Sequence, residues 1–206
     1  MNKGMTVSYE VEGSLYINVT NRCTNSCDFC IRKNGDTAYG SDTLWLEREP
    51  TAEEIMESVT LRDISKYKEI VFCGYGEPTL RLYEVIKVAK NLKAKYPTVK
   101  IRLNTNGQSD LIFGCDTAPL YLGAFDTVSI SLNTPSAQKY VDICHPVYKE
   151  KTFDAILQFA KNVKNYVQNV QFSLVDEFLS QEEIKECEKL SSSLGIKLRI
   201  RKYIGK

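Results

Sequence analysis

One histidine, His145, in 206 residues leaves no imidazole pair for a zinc knuckle, and no second Cys-x-x-Cys supplies the other half of a four-thiolate site. No apolar run approaches the roughly 20 residues of a membrane span. The opening segment Met1 to Ser8 contains no apolar core of a secretory signal, so a cytoplasmic protein with no membrane partner is expected. Charge of neither sign dominates: 27 basic against 26 acidic side chains give a formal charge of +1, and no global field would draw nucleic acid or acidic lipid. Seven cysteines is an odd number, and Cys73, Cys115, Cys144 and Cys187 are scattered, which argues against a disulfide framework. Repeats, linkers and low-complexity tracts are also missing, so residues 1–206 read as a single domain long enough to bury an ordinary core.

What is present is a tight thiol triplet, Cys23-Thr24-Asn25-Ser26-Cys27-Asp28-Phe29-Cys30, just after the strand-like run Leu15-Tyr16-Ile17-Asn18-Val19. Three thiolates this close can hold three irons of a [4Fe–4S] cube and leave the fourth open, since such a cube ordinarily takes one cysteine per iron. A structural zinc site is the competing reading, weakened by the missing second ligand pair.

Around the triplet, short β-rich runs alternate with helical patterns, as repeated βα units and a parallel sheet require. Strands are expected near 15–19, 69–73, 99–104, 127–132, 169–175 and 196–201. Thr51-Ala52-Glu53-Glu54 and Ser180-Gln181-Glu182-Glu183 read as capping boxes that open helices, and Gly195 as the left-handed residue that ends the second. Leu82, Val85, Ile86, Ala89 and Leu92 form one apolar helix face, and Phe153, Ile156, Leu157, Ala160 and Val163 another. The expected fold is α/β: a partial (βα)6 TIM-like barrel, an open parallel sheet with helices outside and its site at the C-terminal strand ends.

Further motifs fall at those ends. Cys73-Gly74-Tyr75-Gly76-Glu77-Pro78 follows the second expected strand, where glycines permit positive φ and let a ligand lie on bare backbone. Leu103-Asn104-Thr105-Asn106-Gly107 and Ser129-Ile130-Ser131-Leu132-Asn133 put short hydrogen-bonding side chains on the same rim, where ribose hydroxyls could be read. Each alone is equally a turn or a cap. In Leu198-Arg199-Ile200-Arg201 the two arginines share a face of the last strand, as solvated edge charges or as contacts to an anion, and Arg199 is the better placed by sequence. Cys115, Cys144 and His145 are read as loop residues without an assigned role.

These residues resemble the radical S-adenosylmethionine superfamily. Cys23-x-x-x-Cys27-x-x-Cys30 matches its cluster loop, with Phe29 before the last cysteine, and Gly74-Tyr75-Gly76-Glu77-Pro78 looks like its Gly-Gly-Glu-Pro motif with a tyrosine inserted. Tyr16 to Cys23, Leu44 to Pro50 and Val71 to Thr79 are most similar to the small radical proteins associated with TatD-type nucleases, which implies a functional link to such a nuclease. The resemblance implies a [4Fe–4S] cluster on Cys23, Cys27 and Cys30 and S-adenosylmethionine as the other cofactor. Gly74, Gly76, Glu77 and Pro78 would flank its methionine end, Asn104, Ser131 and Asn133 its ribose, and Phe29 with the strand near Phe172, Ser173 and Val175 its adenine. Arg199 would meet an anionic group. Reductive cleavage to a 5′-deoxyadenosyl radical would follow, with electrons from a donor such as flavodoxin or ferredoxin. The substrate is left open and includes peptides and macromolecules. Two other functions fit the same residues: an activating enzyme that places a glycyl radical on a partner protein, and a non-catalytic iron–sulfur or zinc sensor.

Overall fold

The computed structural model describes residues 2–203. Seven strands form one open sheet in chain order: β1 (Ser8–Val11), β2 (Ser14–Ile17), β3 (Ile70–Phe72), β4 (Ile101–Thr105), β5 (Thr127–Ser131), β6 (Asn169–Val175) and β7 (Lys197–Arg201). From β2 to β7 every pairing is parallel, as expected. The seventh strand, β1, was not expected. It pairs antiparallel with β2 through the two-residue turn Glu12-Gly13, whose φ values of 48° and 78° suit a tight hairpin.

Six helices fill the connections: α1 (Ala52–Thr60), α2 (Leu82–Lys95), α3 (Ser109–Phe113), α4 (Ala137–Cys144), α5 (Lys151–Val163) and α6 (Gln181–Ser193). Both capping boxes form. Thr51 and Ser180 each accept from the backbone N–H three residues on, while Glu54 and Glu183 reach back to the cap N–H groups. Gly195 takes the left-handed conformation just past α6 (φ 60°). Among the described residues no helix is long and apolar enough to cross a membrane.

In a strand successive side chains alternate between faces, and parallel register carries each face across the sheet. Leu15, Ile17, Ile70, Phe72, Ile101, Leu103, Val128, Ile130, Phe172 and Leu174 share one core with Ile55, Val59, Val85, Ala89, Ile156, Phe159 and Ile184 from the helices. The opposite face is polar. Tyr16, Arg102, Asn104, Ser129, Ser131, Gln171, Ser173, Arg199 and Arg201 fall on it by register, and Arg102 Nη2 to Tyr16 Oη (3.5 Å) and Gln171 Nε2 to Ser129 Oγ (3.2 Å) are contacts across it. Near β1 and β2 this face is covered by a second, smaller apolar cluster of Tyr9, Val11, Ala38, Leu44 and Tyr75, with Trp45 packed edge-on to Tyr75 at 5.1 Å. Toward β7, Ser173 and Val175 on this face are buried and Arg199 is exposed.

Candidate functional site

The cysteine loop leaves the end of β2 and is tied down on three sides. Beneath its entry, Glu49 accepts from Thr20 Oγ1 (2.6 Å) and Arg22 Nε (2.8 Å), and lies 3.5 Å from Arg81. Asn21 exchanges two hydrogen bonds with the backbone of Leu46 (2.7 and 2.9 Å), and Asn18 Nδ2 donates to Leu44 O (2.7 Å). The polar run Asn18 to Arg22 is therefore a clasp on the segment Leu44 to Pro50. On the α4 side, Ser26 N and Asp28 N donate to the carbonyls of Cys144 and Ile143 at 3.0 and 2.9 Å, and Asp28 pairs with His145 at 3.0 Å. Cys144 is thus the buried last residue of α4 and His145 its left-handed C-cap (φ 44°), rather than loop residues. Cys115 is exposed.

The third side is the end of β4. Asn106 Nδ2 donates to Thr24 Oγ1 (2.7 Å), Gln108 Nε2 to Asn25 Oδ1 (2.7 Å), and Asn25 Nδ2 to Tyr140 Oη (2.9 Å), all buried. Asn106, expected on a ligand rim, is spent here, and Thr105 on Glu77. Asn104 alone of that run falls on the polar face, its Oδ1 buried and without a partner.

The glycine motif holds a different surprise. Neither Gly74 nor Gly76 has a positive φ; their smallness is required because the chain leaving β2 runs against them. A Cβ on Gly74 would stand 2.1 Å from Asn18 Oδ1, and one on Gly76 2.3 Å from Thr20 O and 2.5 Å from Arg22 O. Glu77, only 4% exposed, accepts four hydrogen bonds: from Thr79 N (3.1 Å), Thr79 Oγ1 (2.7 Å), Thr105 Oγ1 (2.7 Å) and Asn106 N (2.7 Å). Burial pushes its pKa up, and those donors oppose the push. Pro78 is buried at the start of the short turn Pro78–Arg81. The motif's carboxylate binds the end of β3 to the end of β4, which leaves its backbone as the part facing the loop.

The three thiols are free and partly exposed. Burial raises the Cys23 pKa to about 12, helped by Glu77; Cys27 is pushed up by its hydrogen bond with Cys144 and by burial. Two sulfurs already accept N–H donors, Cys23 from Asn25 N (3.4 Å) and Cys30 from Arg32 Nε (3.2 Å). Arg32 also stacks over Trp45 at 5.9 Å. Phe29 packs on Phe178 at 5.3 Å, Phe178 on Tyr203 at 5.4 Å, and Tyr203 Oη reaches Asn34 Oδ1 at 3.3 Å, which links the cysteine loop to the turn after β6 and the chain beyond β7.

Of the other expected contacts, Ser131 and Ser173 share a register row with Arg199 on the polar face, and Val175 one with Arg201. Phe172 points the other way, into the helix-side core. Asn133 is buried in a left-handed conformation (φ 60°), with Oδ1 unpartnered and Nδ2 toward Cys144 Sγ at 3.6 Å. Arg199 is exposed, whereas Arg201 is partly covered with a buried, unpartnered Nε.

A family model described as the Radical SAM superfamily matches residues 17–190. The chain belongs to that superfamily. GTP 3′,8-cyclase of Lactiplantibacillus plantarum is 26% identical over 145 residues, 70% of this chain and 41% of that protein. Streptococcus suis SuiB bound to precursor peptide SuiA superposes with a TM-score of 0.67 at 17% identity over 93% of this chain and 39% of its own. A radical SAM methyltransferase from Sphaerobacter thermophilus gives 0.64 at 18% identity over 94% and 57%. The chain thus spans well under two thirds of these relatives, and the structural likenesses show the fold, a partial barrel.

The superfamily uses S-adenosylmethionine and an iron–sulfur cluster. Among the described residues no three His, Cys, Asp or Glu side chains are drawn together tightly enough to hold a metal as placed. The donor set nevertheless fits a cluster in its chemistry: three free, partly exposed thiols in one anchored loop, two with N–H donors that would favour the thiolate. The unpartnered Oδ1 atoms of Asn104 and Asn133 fit the hydroxyls and amines of a nucleoside.

Proposed function

We propose that this chain holds a [4Fe–4S] cluster on Cys23, Cys27 and Cys30 and cleaves S-adenosylmethionine reductively to start radical chemistry on a substrate seated over the polar face. When bound, the cluster and its cosubstrate supply the hard step, one electron into the sulfonium and release of methionine and a 5′-deoxyadenosyl group as a radical. The chain's own residues hold and orient. The backbone of Gly74 to Pro78 borders the methionine end, Asn104 and Asn133 offer unspent carbonyl oxygens to the nucleoside, and the apolar cluster around Tyr75 and Trp45 keeps water from one side.

The observation that carries this reading is the anchoring: the cysteine loop is tied to β4 and α4 by four hydrogen bonds through Asn25, Asn106, Gln108 and the Cys144 carbonyl, beside a face with orphaned amide oxygens. A loop held that firmly and still presenting three thiols free of disulfides is built to receive something. The test is anaerobic loading with iron and sulfide, then assay of 5′-deoxyadenosine with dithionite and S-adenosylmethionine, on wild type and Cys27→Ala. Wild type should load four irons and cleave, as the proposed cube implies. The variant should lose the cluster and keep its circular dichroism. A variant with full iron and normal cleavage would defeat the reading.

A further inference from the structure

Two guanidinium groups on the last strand have nothing to neutralise them. Arg102, on the same sheet face, is clamped by both Glu69 oxygens at 2.7 and 3.2 Å, and Lys202 is paired with Asp176 at 2.6 Å. Among the described residues Arg199 and Arg201 have neither an ion-pair nor a side-chain hydrogen-bond partner. Arg201 is the costly one, because its Nε is fully buried. Burial depresses its pKa, and the groups nearest it in charge are Cys73, Tyr39, Arg199 and Tyr16: a thiol, two phenols and another cation. A buried charge left unpaired in this way costs stability unless something outside the chain pairs with it.

Those neighbours, Arg199 apart, belong to β2, the end of β3 and the segment before Trp45 rather than to Cys23, Cys27 and Cys30. Cys73 follows β3 and Tyr16 lies inside β2, while Tyr39, itself 46% exposed, adjoins Ala38 of the apolar cluster over the polar face. Cys30 and Cys23 take their cation from Arg32. The acids beside this face are committed, Glu69 to Arg102 and Glu77 to four donors from the chain. Ser131 and Ser173, in one register row with Arg199, add hydroxyl donors on the same face, two residues deeper in the sheet than Arg201.

We propose that Arg201, with Arg199 and the hydroxyls of Tyr39 and Ser173 around it, is the recognition site for an oxyanion of the substrate, a carboxylate or a phosphoryl group. This rests on the function proposed above, since it names the class of molecule acted upon. The planar guanidinium presents two parallel N–H donors to such a group, which a lysine cannot. An anion bound there would lie on the polar face of the sheet, at the end of β7.

The test uses the full chain, loaded anaerobically, first without and then with saturating S-adenosylmethionine, titrated with inorganic phosphate in one arm and acetate in the other. Thermal shift reads both, and 31P line broadening reads the first. At least one ion should bind saturably to wild type, at least tenfold more weakly to Arg201→Gln, with Arg201→Lys in between and Arg62→Gln unchanged. Which ion binds separates phosphoryl from carboxylate substrates. The proposal is overturned if neither ion binds wild type, if Arg201→Gln binds as wild type does, or if S-adenosylmethionine displaces the ion, which would make Arg201 a contact for the cosubstrate's own carboxylate. The displacement arm needs no variant, so it decides even if Arg201→Gln does not fold. Ion binding without cleavage of S-adenosylmethionine would sink the proposed function and leave the anion site standing; cleavage without ion binding would do the reverse.

Discussion

Gly76→Ala is the sharpest perturbation of the site, because it adds one methyl group where two backbone carbonyls already stand. The new Cβ would lie 2.3 Å from Thr20 O and 2.5 Å from Arg22 O, and neither is the end of a flexible side chain. Overpacking of this kind costs about 1–3 kcal/mol when the surroundings can shift. The shift has its own consequence: Arg22 O accepts from Glu77 N at 2.8 Å, and moving it away forfeits a buried hydrogen bond of about 1 kcal/mol. A total of about 2–4 kcal/mol follows, and at roughly 2–4 °C per kcal/mol for a chain of this size the midpoint should fall by about 4–16 °C. Since Arg22 adjoins Cys23, iron retention after anaerobic loading should fall with it. Gly114→Ala is the comparison: its φ is 68° but nothing lies within 4 Å of a Cβ there, so only the left-handed strain of about 1–2 kcal/mol applies. Anaerobic thermal melts and iron counts on both variants decide the matter. If Gly76→Ala melts within about 1 °C of wild type and keeps its iron, the close approach of the β2 exit is not what requires glycine there, and the backbone would have to be free for another reason.

Glu77→Gln should destabilise the chain by about 1–3 kcal/mol in urea titrations, because whichever way the amide is turned its NH2 meets a backbone N–H, that of Thr79 or of Asn106, that cannot reverse; equal stability would show that the four donors are not satisfied by charge. Glu54 is held at a pKa of about 2, below its ordinary 4.5, by Arg48 and then by the Thr51 N–H. A carboxyl depressed on folding adds stability above its unfolded pKa and loses it as pH falls toward 2, so melting points of wild type should drop between pH 4.5 and 2 more than those of Glu54→Gln; parallel curves would refute the pairing. Arg32→Gln removes the N–H donor at 3.2 Å from Cys30 Sγ, and the loaded cluster should then titrate at a more negative potential by electron paramagnetic resonance. An unchanged potential would mean that Arg32 turns away once metal is bound.

The parallel sheet was legible because its strands are short apolar runs bounded by turn residues, and because helix ends carry their own chemistry in Thr51, Glu54, Ser180, Glu183 and Gly195. β1 was missed although Glu12-Gly13 between Ser8–Val11 and Ser14–Ile17 is a hairpin signal; four residues gave too short an alternation to stand out. α4 was missed for a similar reason, with only Tyr140 and Cys144 fully buried along its eight residues. The polar residues that hold the cysteine loop, Asn25, Gln108 and Tyr140, lie up to 115 positions apart, and no local pattern could have joined them.

The division of labour inside the site is what one-dimensional motifs conceal most. Gly74, Gly76 and Glu77 belong to the most recognisable segment after the cysteines, yet their side-chain chemistry is consumed by the fold: two missing methyls make room for the β2 exit, and one carboxylate binds two strand ends. Asn104, Asn133 and Arg201 stand outside those segments, and each keeps an unspent buried polar atom, as do Asn18, Gln108 and Thr152. An unmet buried donor or acceptor costs about 1–3 kcal/mol, so a chain that keeps Asn104, Asn133 and Arg201 unmet is stabilised by whatever satisfies them. In this chain the side chains of the most recognisable segment build the frame, and the proposed ligand contacts fall to residues whose partners are absent among the described residues.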